Sequence, residues 1–140
     1  MDKQITGQTG ERIAADFLRD KGYEILGRNV RAGHGELDIV ARMGEILVFA
    51  EVKTRHVLPG SPMLYGTPAD AVDRKKQENL VKTADEYLRR NGEYADCYPR
   101  IDVIEVYLDA SDRPYAIEHY ENAVRKRNVR RKNTSIEHQR

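Results

Sequence analysis

The sequence predicts a single α/β domain in which helices flank a β-sheet. Its 140 residues, 39% of them hydrophobic and 34% charged, suit one globular domain and exclude a wholly disordered chain. Two segments have apolar residues at helical spacing, and the remaining regular segments have the composition and alternation of strands. They follow one another as helix, three strands, helix, two strands, an order that favours a sheet covered by helices.

The first helix is predicted over residues 8–21, with Thr9 as its N-cap. Three strands are predicted next, at residues 23–30, 35–42 and 45–53. A tight turn at Met43 and Gly44 is expected to join the second strand to the third. These elements form the first half of the predicted domain.

The second long helix is predicted to begin with Thr67 as N-cap and Pro68 at the first helical position, with Asp70 in the first turn. It should end at Arg90, before an Asn-Gly pair. The Pro- and Gly-rich residues 54–66 before it are predicted to form a mobile connection that acts either as a lid or as a loop that contacts substrate. The last two strands are predicted at residues 100–108 and 115–120.

Composition also restricts the cellular environment. No apolar run approaches the roughly 20 residues that span a bilayer, and the first residues lack the apolar stretch of a signal peptide. The single cysteine, Cys97, cannot form an internal disulfide, which fits a reducing compartment. We therefore expect a cytoplasmic protein that does not interact with membranes.

The net charge is unevenly distributed between residues 1–124, the predicted domain, and residues 125–140, the predicted tail. The tail has seven basic residues and one acidic residue, so its net charge is +6. Because the net charge of the whole chain is +1, the net charge of the domain is −5. A solvated, disordered tail is one interpretation. Attraction to phosphate backbones is the other, although no aromatic residue is present to stack on bases.

The third strand carries two ionisable residues on one face. In ILVFAEVK, residues 46–53, strict alternation places Glu51 and Lys53 on the same face as Phe49, at the end of a strand that is otherwise apolar. An ion pair at a strand end is the simplest interpretation. The residues of the neighbouring strand favour a second interpretation, a site for a cation.

The predicted tight turn sets the register of the second and third strands. It places Asp38 opposite Phe49 and Glu36 opposite Glu51, so that three carboxylates and Lys53 share a face. Three adjacent carboxylates cannot all ionise cheaply unless a cation lies among them. Mg²⁺ prefers oxygen ligands of this kind, which Asp38, Glu51 and the Val52 carbonyl would supply.

Two helices contribute further candidates. Glu11 shares the apolar stripe of the first helix, so its carboxylate is expected near the acids, although an acid favoured by the helix dipole is the alternative. Lys76 is the one charged member of an apolar stripe on the second helix, with Gln77 beside it. Lys76 either extends to solvent or lies over the acids, where it would contact a phosphate.

Five separated blocks carry a family resemblance: GERIAADFLRDKGYEIL, RNVRAGHGELDIVAR, LVFAEVKTR, AVDRKKQENL and RIDVIEV. In order and spacing they closely resemble the small bacterial YraN family, over most of residues 8–121. That family is assigned to the fold shared by restriction endonucleases and Holliday-junction resolvases. The resemblance therefore implies a restriction-endonuclease-like core with a central mixed β-sheet.

The resemblance also implies roles for single residues. The PD-(D/E)xK signature of the superfamily falls on Asp38, Glu51 and Lys53. Glu11 resembles the helical acid of the resolvase branch, Glu36 belongs to the GE(L/I)D block of the family, and Lys76 matches a lysine of its second helix. Since related junction-cutting enzymes act in pairs, the resemblance also implies a homodimer.

The sequence thus predicts an endonuclease that uses Mg²⁺ or Mn²⁺ to hydrolyse DNA, including branched intermediates of repair and recombination. The predicted catalytic residues are Asp38, Glu51, Lys53, Glu11 and Lys76. The predicted metal ligands are Asp38, Glu51, Val52, Glu11 and Glu36. The predicted contacts to nucleic acid are Arg55, Lys76 and Gln77.

Two other functions remain open at this stage. The chain could bind nucleic acid without cleaving it, or it could be an interaction subunit whose acids and lysines form a structural ion network. Clustered acids that face a polyanion argue against a pure binding module. His34 and His56 flank the expected site without the spacing of paired ligands, and both are interpreted as loop residues.

Overall fold

A computed structural model describes residues 3–57 and 72–125 of the chain. Their elements follow the predicted order of helix, three strands, helix and two strands, and a short 3₁₀ turn precedes the fourth strand. The bounds are α1 Lys3–Asp20, β1 Glu24–Ala32, β2 Gly35–Met43, β3 Ile46–His56, α2 Arg74–Arg90, β4 Tyr98–Leu108 and β5 Pro114–Val124.

The five strands form one mixed sheet in the order β1-β2-β3-β4-β5. Neighbouring strands are antiparallel except for β3 and β4, which run parallel. A parallel pair needs a crossover connection, and α2 lies in that connection. The predicted mixed sheet flanked by helices is therefore confirmed.

The helices cover opposite faces of the sheet. Helix α1 buries Ala14 and Leu18 against one face, together with apolar residues of β2, β3 and β4. Helix α2 buries Leu80 and Ala84 against the other face, where Phe49 lies at the centre. Since both faces are covered, β3 is apolar on both sides along most of its length, as predicted for a central strand.

Helix α2 begins later than predicted. Its first residue is Arg74, and the Asp73 side chain caps it by accepting a hydrogen bond of 2.8 Å from the Lys76 N–H. Asp73 is as good an N-cap as Thr67, so the sequence contains two competing start signals. Thr67, Pro68 and Asp70 themselves lie outside the described residues. The predicted end at Arg90 is confirmed.

The predicted register of the second and third strands is wrong by two residues. Met43 pairs with Ile46, so the turn consists of Gly44 and Glu45. Gly44 adopts a φ of 60°, which glycine tolerates better than Met43 would.

An even shift keeps Val40 on the face of Phe49, as predicted. The alternation of β2 breaks beyond this point, because Leu37 packs in the same cluster as Val40 whereas Ile39 packs in the cluster on the other face.

The N-terminal half of α1 lies directly on β3. A Cβ atom at Gly10 would lie 1.8 Å from Oγ1 of Thr54, so this approach requires a residue without a side chain. A Cβ atom at Gly7, one turn earlier, would have no neighbouring atom within 4 Å. Gly10 therefore sets the distance between α1 and the end of β3.

We expect Gly10→Ala to lower the free energy of unfolding by about 1–3 kcal/mol, because the added methyl group overlaps Thr54. Gly7→Ala is the matched control, since alanine is favoured over glycine in a helix by about 1 kcal/mol and has room there. Urea denaturation measures both values. Equal effects of the two substitutions would contradict the close contact.

Candidate active site

Strand β2 separates from β3 at Asp38. The β2–β3 pairing ends at Ile39 and Ala50, whereas the β1–β2 pairing continues to Ala32 and Gly35. At the point of separation, Oδ2 of Asp38 accepts a hydrogen bond of 2.8 Å from the Val52 N–H. The carboxylate of Asp38 thus accepts the hydrogen bond that a backbone carbonyl of β2 would accept if the β2–β3 ladder continued.

The same geometry orients the Val52 carbonyl. The N–H and C=O of one residue in a strand point to the same neighbour, so the Val52 carbonyl also faces the β2 side. Because the β2–β3 ladder has ended two residues earlier, that carbonyl faces the gap between the strands. Its position fits the predicted role as an oxygen donor beside Asp38.

Glu51 lies at the centre of the site. The residue is 5% exposed, and Asp38 is the nearby acid that acts on it most strongly. Its Oε2 atom lies 3.7 Å from Nζ of Lys53 and 3.6 Å from Nζ of Lys76. The structure therefore brings together four of the predicted residues, from β2, β3 and the first turn of α2.

The environment of Glu51 favours its neutral form. Burial is the largest cause, and the negative charge of Asp38 is the second. Lys76 and Lys53 oppose the change, while the hydrogen bond with Asp38 adds to it. The net result is that the pKa of Glu51 rises from 4.5 to about 7. A carboxyl group of this kind binds or releases a proton near neutral pH.

Glu11 approaches the same acids from the other face of the sheet. Burial, and then the charge of Asp38, raise the pKa of Glu11, whereas a hydrogen bond from Asn29 and the charge of Arg28 lower it. Its Oε1 atom is buried and has no hydrogen-bond partner among residues 3–57 and 72–125. A buried carboxylate oxygen without a partner is costly unless a ligand satisfies it.

Glu36 is not placed where the sequence predicted. It does not lie opposite Glu51, because β2 has left β3 before this position. It pairs instead with Arg31 on β1, at 4.0 Å between Nε and Oε2, and its side chain is 48% exposed. Its charge still contributes to the raised pKa of Glu11. Asp38, Glu51 and Glu11 therefore form the acidic group, with Glu36 at its periphery.

The predicted nucleic-acid contacts are engaged within the protein. Nε of Arg55 lies 3.3 Å from Oε2 of Glu105, and Nε2 of Gln77 donates a hydrogen bond to the Val72 carbonyl. Gln77 thus stabilises the segment that leads into α2.

The two histidines lie beside the site rather than in it. His34 is in the turn between β1 and β2, as predicted. His56 was predicted in a loop but is the last residue of β3, where Nε2 lies 2.6 Å from Asp112. The parallel partner β4 pairs with β3 up to this residue, which explains why the strand extends beyond its predicted end.

The sequence analysis missed a buried carboxylate next to the site. Glu105 is 2% exposed, pairs across the parallel ladder with Lys53, and accepts a hydrogen bond of 3.1 Å from the Tyr107 hydroxyl. It also fixes Arg55. The alternation in RIDVIEV places Glu105 on one face with Val103 and Tyr107, but only the parallel pairing shows that this face continues the one with Lys53.

The acids of the described residues do not form a metal site made of protein side chains alone, but they resemble a Mg²⁺ site that is completed by water and substrate. Within residues 3–57 and 72–125, no three His, Cys, Asp or Glu side chains lie close enough to hold an ion as a preformed set. Mg²⁺ typically binds one or two carboxylates and completes its shell with water and substrate phosphate. The adjacent carboxyl groups of Asp38 and Glu51, with the unpartnered Oε1 of Glu11, fit that description.

Comparison with known proteins identifies the family. Residues 10–106 match the model described as "Uncharacterised protein family UPF0102". The chain belongs to this family. The matched range contains Glu11, Asp38, Glu51, Lys53 and Lys76, so every member of the group described above falls within the family model.

Individual UPF0102 proteins are similar over most of their length. A UPF0102 protein of Clostridium botulinum is 41% identical over 117 residues, which is 84% of this chain and 91% of the relative. One from Alkaliphilus oremlandii is 44% identical over 125 residues, covering 88% and 99% of the two chains. One from Caldicellulosiruptor saccharolyticus is 39% identical over 123 residues, with the same two coverages.

Among solved structures, the chain is similar to Pyrococcus furiosus SfsA in complex with Ca²⁺. The sequence identity is 16% and the TM-score is 0.37; the alignment covers 86% of this chain and 64% of that chain. A similarity at this level does not support an argument about function. In the described residues of this UPF0102 chain, neither helix is long and apolar enough to cross a membrane.

Substitutions beside Glu51 should move its pKa in opposite directions. We expect Asp38→Asn to lower the pKa of Glu51 below about 7, because it removes a neighbouring negative charge, and Lys76→Met to raise it, because it removes a positive one. Carbon-13 NMR titration of the Glu51 carboxyl in metal-free buffer measures both. Lys75→Met, on an exposed neighbour in α2, is the control. A common direction of change for the two variants would refute this arrangement.

Proposed function

We propose that this UPF0102 chain is an endonuclease that uses Mg²⁺ or Mn²⁺ to hydrolyse DNA phosphodiester bonds. The observation that carries the proposal is the buried carboxyl of Glu51, which contacts Asp38 and lies within 4 Å of two lysine ammonium groups. Acids alone repel a polyanion, and lysines alone would bind it without cleavage. Acids and lysines together can hold a cation and the phosphate that it activates.

Asp38, Glu51 and the Val52 carbonyl would hold the metal, with Glu11 as a further ligand from α1. When bound, a divalent metal lowers the pKa of water and neutralises charge on the phosphate. Lys53, close to the same carboxylate, orients the attacking water or steadies a phosphate oxygen. Phosphoryl transfer needs little covalent help from protein, so positioning and charge neutralisation supply most of the catalysis.

Lys76 would contact the scissile phosphate. It is 3.6 Å from Glu51 and its side chain is 43% exposed, so its ammonium group is accessible from solvent and directed at the acids. Arg55 is a weaker candidate, because its guanidinium is already paired with buried Glu105. Branched DNA, action in pairs and a restriction-endonuclease-like fold are supported by the family resemblance, whereas the geometry itself supports phosphodiester hydrolysis in general.

Cleavage should depend on the grouped residues. We expect Lys53→Ala and Asp38→Asn each to lower the cleavage rate by about 100-fold or more, because each removes a group that is proposed to act on the reacting phosphate or its metal. The assay uses duplex, single-stranded, flap and four-way DNA with Mg²⁺ or Mn²⁺. Lys75→Ala should retain the rate of the natural chain.

Cleavage that persists equally in Lys53→Ala would show that another site or a contaminant is responsible. DNA binding with no cleavage of any substrate would favour a noncatalytic nucleic-acid-binding module that retains the fold. Comparing Lys53→Ala with Lys75→Ala tests whether charge alone matters, since each variant loses one lysine.

Metal binding should follow the protonation of Glu51. The ligand form is the carboxylate, so we expect Mn²⁺ affinity to increase as the pH rises from 5 to 7 and to level off above the Glu51 pKa of about 7. A concentration of 100 times Kd should stabilise the natural chain by about 2.7 kcal/mol. Thermal unfolding with and without Mn²⁺ measures this.

Asp38→Asn should abolish most of that thermal shift, whereas Asp16→Asn, an exposed acid on the outer face of α1, should retain it. A shift that is independent of pH, or equal in the two variants, would indicate nonspecific metal binding.

A further inference from the structure

An open groove lies between α1 and β1, next to Glu11. Its volume is about 500 Å³. Five polar residues line it, and none of them is acidic: Gln8, Thr9, Arg12, Arg28 and Asn29. The described part of the chain therefore has a concave surface with two guanidinium groups next to its acidic site.

Neither guanidinium group is strongly held. Nη1 of Arg12 lies 3.8 Å from Asp16, and both side chains are more than half exposed, a pairing that contributes little. Arg28 is exposed and is attracted to Glu11, but its side chain has no hydrogen bond or ion pair with another residue of the described ranges. Both can therefore reorient towards an anion at small cost.

The groove borders the proposed site at Glu11. Asn29 and Arg28 of the groove both interact with Glu11, and Glu11 interacts with Asp38. Asp38 in turn interacts with Glu51, whose Oε2 atom lies 3.6 Å from Nζ of Lys76. Cationic side chains therefore lie near the acids in two places, in the groove beside α1 and at the start of α2.

We propose that this groove binds a backbone phosphate of the nucleic-acid strand, next to the phosphate that lies at Asp38 and Glu51. The inference rests on the proposed function. A polyanionic strand has phosphates at regular intervals, so the arginines of the groove can hold a phosphate that flanks the reacting one, while Lys76 contacts the reacting phosphate itself. Guanidinium groups suit this role because they contact two phosphate oxygens at once.

The test measures DNA affinity and its salt dependence for Arg12→Ala and Arg28→Ala. All variants carry Lys53→Ala, so that Asp38 and Glu51 remain and cleavage is blocked. Fluorescence anisotropy with a single strand and with a four-way junction, in Mg²⁺, gives Kd at several salt concentrations. Arg19→Ala is the matched control, since Arg19 is an exposed arginine of α1 that pairs with the same Asp16 as Arg12 but does not line the groove.

We expect each groove variant to raise Kd several-fold at low salt, and to reduce the slope of log K against log salt by about 0.7–0.9, the value for one phosphate contact. Mn²⁺ affinity, measured by calorimetry, should stay at the level of the Lys53→Ala parent. Arg28→Lys should recover part of the affinity, because it restores the charge without the bidentate geometry.

Three outcomes would overturn the inference. If Arg12→Ala and Arg28→Ala match Arg19→Ala while Lys76→Ala weakens binding, the groove has no part in binding and the proposed function stands. If the Lys53→Ala parent binds no DNA in Mg²⁺ and the natural chain cleaves none, the proposed function fails and the inference fails with it. Loss of Mn²⁺ affinity in Arg28→Ala would also overturn it, because the arginine would then act through Glu11.

Discussion

The site depends on one hydrogen bond, from the Val52 N–H to the carboxylate of Asp38. On one side of this bond, β2 and β3 form a regular ladder and their side chains fill the two cores. On the other side β2 stays with β1, and β3 continues beside β4. The gap that results lets α1 and α2 each bring a charged side chain, Glu11 and Lys76, to the same two acids.

The pKa of Glu51 is set by effects that oppose one another. Burial beside Asp38 disfavours its charge, and two lysines only partly compensate, so the pKa stays near neutrality. A protein that needed only stability would gain from an apolar residue at this position, because a buried ion pair rarely repays its desolvation. The arrangement is understandable if the carboxylate is needed as a ligand, and the unpartnered oxygen of Glu11 has the same explanation.

The sequence was informative where the signal is local or periodic. Alternation in β3 placed Glu51 and Lys53 on one face. The hairpin register added Asp38, the apolar stripes of the two helices added Glu11 and Lys76, and the family resemblance implied the same residues. The register error was even, so Val40 kept its predicted face. The strict alternation assumed for β2 was wrong, however, because Leu37 and Val40 pack on the same face, and Glu36 does not have the partner assigned to it. Glu105, Arg28 and Asn29 were missed because their importance arises from the parallel pairing of β3 with β4, and from the approach of α1 to β1. Neither contact leaves a pattern in a single sequence.

The parallel pairing of β3 with β4 has a consequence for biosynthesis. Residues of β3 leave the ribosome well before those of β4, and α2 lies in between. A nascent chain that ends within α2 contains both catalytic-signature acids but lacks the strand that holds Glu51 and Lys53 in place. The acids and lysines around Glu51 can therefore take up their final arrangement only after β4 has been synthesised and has paired with β3.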